Sequence, residues 1–93
     1  MHYNASHYST QLCRSVRMSQ DVRRLVGGNV KRLRTQAGLS QAELASQMGV
    51  DRSYVSGLEA GERNATIITL WHIAQALSVK IGAFFDELPR NRR

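Results

Sequence analysis

Residues 39–61, LSQAELASQMGVDRSYVSGLEAG, constrain this chain more than any other stretch. Ser40 is a favoured N-cap, and Glu43 three positions later completes a capping box, in which side chain and backbone satisfy each other's free groups. Leu39 before the cap and Leu44 four residues after it form the hydrophobic staple that sets the angle of entry. Gly49 supplies the left-handed residue that ends this first helix, with Val50 placed to pack back onto it. Asp51 stands where it caps a second helix, Val55 and Leu58 give that helix an apolar side, and Gly61 closes it. Two capped helices across a glycine turn make a helix-turn-helix unit.

Ninety-three residues hold one domain, and 42% apolar residues allow a small core but not a deep, walled cleft. The formal charge is +6, which attracts the chain to polyanions. Eleven of the thirteen basic residues are Arg, whose planar fork suits phosphate and guanine. A single cysteine, Cys13, excludes an intrachain disulfide framework and fits a reducing cytosol. No apolar run approaches the roughly 18 residues of a membrane span, and the N-terminus lacks the apolar centre of a signal peptide. The expectation is a cytoplasmic protein with no membrane partner.

In chain order, residues 1–17 are polar and without helical period, and read as a disordered tail. His2, His7 and Cys13 match no zinc spacing and lack a fourth ligand, so no metal is expected. Arg14 and Arg17 make this tail a candidate basic arm, and Met18 opens the part that reads as a domain. The first helix is expected from about Asp21 to Gln36, with Val22, Val26, Val30, Leu33 and Ala37 on one face. Gly27 and Gly28 each cost it about 1 kcal/mol relative to Ala, so it depends on tertiary packing. Residues 21–36 carry a net charge of +4, whereas residues 37–60 carry −2. The basic field therefore comes from the neighbour of the two-helix unit. Arg23 and Arg24 read simply as a solvated face.

Thr66 caps an expected fourth helix whose broad apolar face includes Ile67, Leu70, Trp71, Ile73, Ala74 and Leu77. Trp71 reads as core, and His72 as a surface or boundary residue. A short fifth helix from Ile81 to about Leu88 carries Phe84, Phe85 and Leu88, and Pro89 stops it. The expected architecture is all-α: one compact five-helix domain at 19–88, a flexible N-terminal extension at 1–18, and a basic C-terminal tail at 89–93.

The segments NVKRLR at 29–34, GLSQAELA at 38–45, GVDRSYVSGLEAGERN at 49–64 and TLWHIAQALSV at 69–79, with Phe84 and Phe85, resemble the XRE-type helix-turn-helix family that includes lambda repressor and Cro. The resemblance covers about two thirds of the chain, with five segments in order. It implies a five-helix bundle that binds operator DNA as a dimer. Ala65 stands where the family often has Pro, Ser78 where it usually has Gly, and Lys80 where a Ser or Asp caps the fifth helix. These departures bear on the fifth helix and on dimerisation through Phe84, Phe85 and Leu88.

The second helix of such a unit enters the major groove with its N-terminal residues at the base edges. By resemblance and helical geometry, Arg52, Ser53, Ser56 and Gly57 face the bases. Arg52 is the long donor suited to guanine O6 and N7, a contact worth about 1–3 kcal/mol of discrimination. Gly57 marks a close approach of the duplex or the plain absence of a side chain. Gln41 matches a family glutamine that bonds a phosphate at a helix N-terminus. Arg63 and Asn64 match a loop that grips the backbone. Tyr54 either reaches a phosphate or lies against the bundle. Arg34 and Glu59 match a semi-buried ion pair joining the first helix to the recognition helix.

No nucleophile and base pair, paired acids or ligand cluster stands at catalytic spacing, so neither an enzyme nor a cofactor is expected. RNA binding lacks its aromatic stacking surface. A protein-interaction module, such as an antitoxin-like partner with weak DNA affinity, is the alternative, and predicts an apolar patch left exposed near Phe84, Phe85 and Leu88.

Overall fold

The capping box expected at Ser40 is formed: its hydroxyl accepts from the Glu43 N–H at 3.0 Å, and the Glu43 carboxylate accepts from the Ser40 N–H at 2.7 Å. It starts α2, Gln41–Met48, and Asp51 precedes α3, Arg52–Glu59. Asp51 holds the extended N-cap backbone, but its side chain makes no capping hydrogen bond. The structure, a computed structural model, describes the backbone of residues 5–87 and the side chains of residues 21–87. Within that range α1 is Ala5–Gln36, α4 is Ile67–Leu77, and a 3-10 helix covers Ile81–Phe85. Expectations for the side chains of His2, His7, Cys13, Arg14 and Arg17, and for Leu88 and residues 89–93, lie outside the described residues.

The first helix begins at Ala5, well ahead of the expected Asp21, so residues 5–17 are helical where a disordered tail was expected. An amphipathic period reports a face that packs, not the point where a helix stops. Residues 5–26 contain neither Gly nor Pro, and extending a nucleated helix costs little per residue. Val26 and Val30 are buried and Leu33 packs on the core as expected, whereas Val22 is 46% exposed and Ala37 is exposed. Ala37 lies past the helix end, in the turn that Gly38 completes.

Each α-helix ends in the same motif, with the chain folding back through one left-handed residue. At α2 that residue is Gly49, and the Val50 N–H reaches the Ala45 carbonyl at 3.0 Å. Val50 makes this backbone contact, but its side chain stays exposed rather than packing back. At α4 the left-handed position is taken by Ser78, with φ 56°, the only non-glycine of this kind among the described residues. Ser78 thus holds the left-handed place that the resemblance gives to Gly, and the Val79 N–H bonds the Ala74 carbonyl at 3.0 Å.

The core gathers Leu44 and Ala45 of α2, Val55 and Leu58 of α3, and Leu70, Ile73, Ala74 and Leu77 of α4 around Val26 and Val30. Phe84 completes it at 0% exposure, which contradicts its expected role in dimerisation. A ring burying this much apolar surface contributes about 1.5–3 kcal/mol to folding and is spent inside the fold. The fifth element is a 3-10 helix rather than an α-helix. Lys80 offers it no side-chain cap and Gly82 weakens it. What holds it is Asn29 on α1, fully buried, whose amide nitrogen donates to the carbonyls of Phe84 at 2.9 Å and Asp86 at 2.7 Å. Its amide oxygen accepts from Arg32 at 2.9 Å. Sequence reasoning passed over Asn29, since nothing in its local pattern marks a buried polar clamp.

Trp71 is 52% exposed, not core. The buried residues of α4 occupy positions 70, 73, 74 and 77, a single helical stripe. Ile68 and Trp71 fall off that stripe and Ile67 lies on its margin at the first position of the helix, and all three stay open to solvent. Among the described residues no helix is long and apolar enough to cross a membrane.

Candidate nucleic-acid interface

Helix α3 turns Val55 and Leu58 into the core, and this orientation sets what it offers outward. Arg52 and Ser53 are exposed, and Ser56 and Gly57 are half-buried. All four expected base-facing residues line one open depression of about 390 Å³ together with Glu62 and Arg63. The surface is polar and shallow, which suits a duplex edge better than a small molecule.

Two contacts fix the tilt of α3 against α1. The first is the expected ion pair, in which Arg34 donates from Nε to Glu59 Oε2 at 2.6 Å and from a terminal nitrogen to Oε1 at 3.1 Å. The side chains are 11% and 3% exposed, so this is a buried, two-pronged pair. The remaining terminal nitrogen of Arg34 donates to the Leu39 carbonyl at 2.7 Å. The second contact is steric. A Cβ on Gly27 would lie 2.2 Å from the Leu58 carbonyl oxygen and 2.8 Å from that of Glu59, so α3 rests directly on the α1 backbone. The glycine that weakens α1 locally is the one that lets the recognition helix approach.

The expected backbone-contact residues have structural partners. Gln41 sits at the first position of α2, and its amide nitrogen donates to Glu59 Oε1 at 3.0 Å. Asn64 accepts through its amide oxygen from Arg23 at 3.0 Å, so its amide N–H groups remain to face an acceptor. Arg23, read from sequence as merely solvated, thereby joins α1 to the loop after α3. Arg24 lies against Gly61 of the same loop, where a Cβ would meet its Cγ at 2.9 Å. Two basic residues of α1, Arg23 and Arg24, therefore lie against the loop that follows α3.

The Tyr54 ring packs against the core, and Arg63 stacks over it at 5.3 Å from the centroid. Gly57 is not bare: the Arg63 side chain covers it, with Nε 3.0 Å from where a Cβ would stand. Among the described residues no group of three or more His, Cys, Asp and Glu side chains is placed to hold a metal ion.

Two short helices across a left-handed glycine turn, the second presented outward beside a basic helix, define a helix-turn-helix DNA-binding domain. The helix-turn-helix family profile HTH_3 matches residues 30–84, and the chain belongs to that family. It is 51% identical over 59 residues to an uncharacterized HTH-type transcriptional regulator, y4dJ, of Sinorhizobium fredii, covering 63% of this chain and 77% of that protein. It is 31% identical over 71 residues to the control protein C.MunI of Mycoplasma, across 75% of this chain and 96% of that protein. Among solved structures it resembles the restriction-modification controller protein C.AhdI from Aeromonas hydrophila, with TM-score 0.68 and 38% identity over 71% of this chain and 96% of that one. The chain is a transcriptional regulator of the helix-turn-helix type, not an enzyme.

Proposed function

We propose that this regulator reads near-palindromic operator DNA as a homodimer, acting as a repressor or controller. The observation that carries the reading is the exposed N-terminal half of α3, locked to a basic helix by the buried Arg34–Glu59 pair. Arg52 supplies the bidentate contact to guanine, and Ser53 and Ser56 add tolerant hydrogen bonds. Gln41 and Asn64 hold the phosphates, with Arg23 keeping the amide donors of Asn64 outward. One eight-residue helix spans only a few base pairs, and two copies placed one turn of DNA apart, about 34 Å, supply the missing information. Phe85, 50% exposed beside the buried Phe84, is the described residue of the expected dimer set that is open to a second copy. The resemblance to control proteins supports this class of regulator.

Selection of bound duplexes from a random pool tests it. The expected product is a pair of inverted half-sites one helical turn apart, bound with a steep decrease in affinity as salt rises. Arg52→Ala is expected to lose discrimination at one base pair of each half-site and to keep non-specific binding. A uniform loss over all duplexes would make Arg52 a phosphate contact. No enrichment of any sequence would refute operator reading.

A further inference from the structure

We propose that Arg63 is a second base-reading residue, and that Gly57 is the position that seats it. This rests on the operator reading above, and assigns Arg63 a different task from the backbone contact that sequence resemblance implies for it.

The placement begins with the turn after α3. Gly61, at φ 78°, folds the chain back, and the Glu62 N–H bonds the Gly57 carbonyl at 2.9 Å. Residue 63 is thereby delivered beside the helix that it has just left. Its side chain then crosses Gly57, with Cγ, Cδ and Nε at 3.3, 3.2 and 3.0 Å from an ideal Cβ position. The guanidinium carbon ends 5.3 Å from the centre of the Tyr54 ring. Tyr54 and Gly57 are one turn apart on the same side of α3. Arg63 therefore runs along α3 from Gly57 toward Tyr54, in the direction of the N-terminal end that meets base edges. Arg52 and Ser53 occupy that end, and all three line the same depression.

Gly57 has no other employment in the fold. A mid-helix glycine is the least favourable residue there after proline. At Gly27 the absent Cβ is required by two backbone carbonyls that cannot move. At Gly57 an added Cβ meets only the far part of a flexible side chain. The fold would accept Ala at 57, and Arg63 would have to give by a few tenths of an ångström from its present seat.

The chemistry agrees. Among the described residues no carboxylate pairs with Arg63, so its fork is available to a ligand. Stacking on Tyr54 holds the guanidinium in place before DNA arrives, which lowers the ordering cost of a directional contact. Phosphate and guanine can both take the guanidinium fork two-pronged, but only guanine turns a held fork into discrimination between bases. The seat holds that fork beside Arg52 and Ser53.

The test uses the full chain and the operator recovered by selection, with each base pair of one half-site varied singly. Arg63→Ala is expected to lose about 5- to 150-fold of discrimination at one base pair, distinct from the pair lost in Arg52→Ala. Arg63→Lys should keep the salt slope but lose the same discrimination. Gly57→Ala is expected to raise Tm, because Ala is the better helix former, and yet to lose selectivity at that pair. In the double variant Gly57→Ala/Arg63→Ala, selectivity should be no worse than in Arg63→Ala alone, since both act through one side chain. Equal weakening on all duplexes with a salt slope lower by about one would make Arg63 a phosphate contact and overturn the proposal. Additive losses in the double variant would also overturn it, because the methyl group would then be meeting DNA directly. A wild-type chain that selects no sequence would overturn the operator reading and this proposal together; a selective wild type with either of the former results overturns this proposal alone.

Discussion

Gly27→Ala sets two opposed effects against each other at one position. In an exposed helix the change stabilises by about 1 kcal/mol, because Ala loses less backbone freedom on folding. Here the new Cβ would stand 2.2 Å from the Leu58 carbonyl oxygen and 2.8 Å from that of Glu59. Both obstacles are backbone, so no side chain can rotate away, and α1 and α3 must separate by about 1 Å to restore ordinary contact. Overpacking of this kind costs about 1–3 kcal/mol, and the rigid neighbours place this case at the upper end. The separation also stretches the Arg34–Glu59 pair, which bridges the same two helices at 2.6 Å. The net expectation is a destabilisation of about 2 kcal/mol, with the steric term winning. For a domain of this size that lowers Tm by roughly 10 °C. Thermal unfolding followed by far-ultraviolet circular dichroism measures it directly. An unchanged or higher Tm would show that α3 does not rest on the α1 backbone as described, and the account of how the recognition helix is positioned would fail.

Two other perturbations probe the same scaffold. Glu59→Ala strips the buried Arg34 of its carboxylate and Gln41 of its acceptor, and should cost about 3–5 kcal/mol in urea unfolding, with much of it recovered in Glu59→Leu/Arg34→Met; a loss under about 1 kcal/mol would reclassify the pair as a surface contact. Ser78→Gly relieves a side chain held at φ 56° and should raise stability by about 0.5–1 kcal/mol, the strain relieved exceeding the added freedom of the unfolded chain; a lower urea midpoint would mean that the serine side chain contributes more there than the strain costs.

The two-helix unit was legible in the sequence because its signals are local. A capping box, a left-handed glycine and a staple act over one turn, and Ser40, Glu43 and Gly49 behave as their types dictate wherever they stand. The Arg34–Glu59 pair was recovered through family resemblance, since residues 25 positions apart carry no local sign of contact. Trp71 is exposed against the expectation of a core residue for a related reason. On a helix with apolar residues at most positions, periodicity does not choose between two overlapping stripes, and the packing of α2 and the 3-10 helix chose the one without it. Phe84 and Phe85 are neighbours of one type, yet the first is buried in the core and the second half exposed, on a 3-10 turn whose Phe84 and Asp86 carbonyls Asn29 holds.

Local signals were enough for the helices of the motif, the apolar side of α3 and hence the outward set Arg52, Ser53, Ser56 and Gly57, because helix caps and helical period are properties of short stretches. Tertiary structure alone decided how close α3 comes to α1, which carbonyls Asn29 holds, where Arg23 finds Asn64, and that Arg63 lies over Gly57. Each of these joins residues through space, where the outcome depends on which atoms the fold brings within about 3 Å of one another.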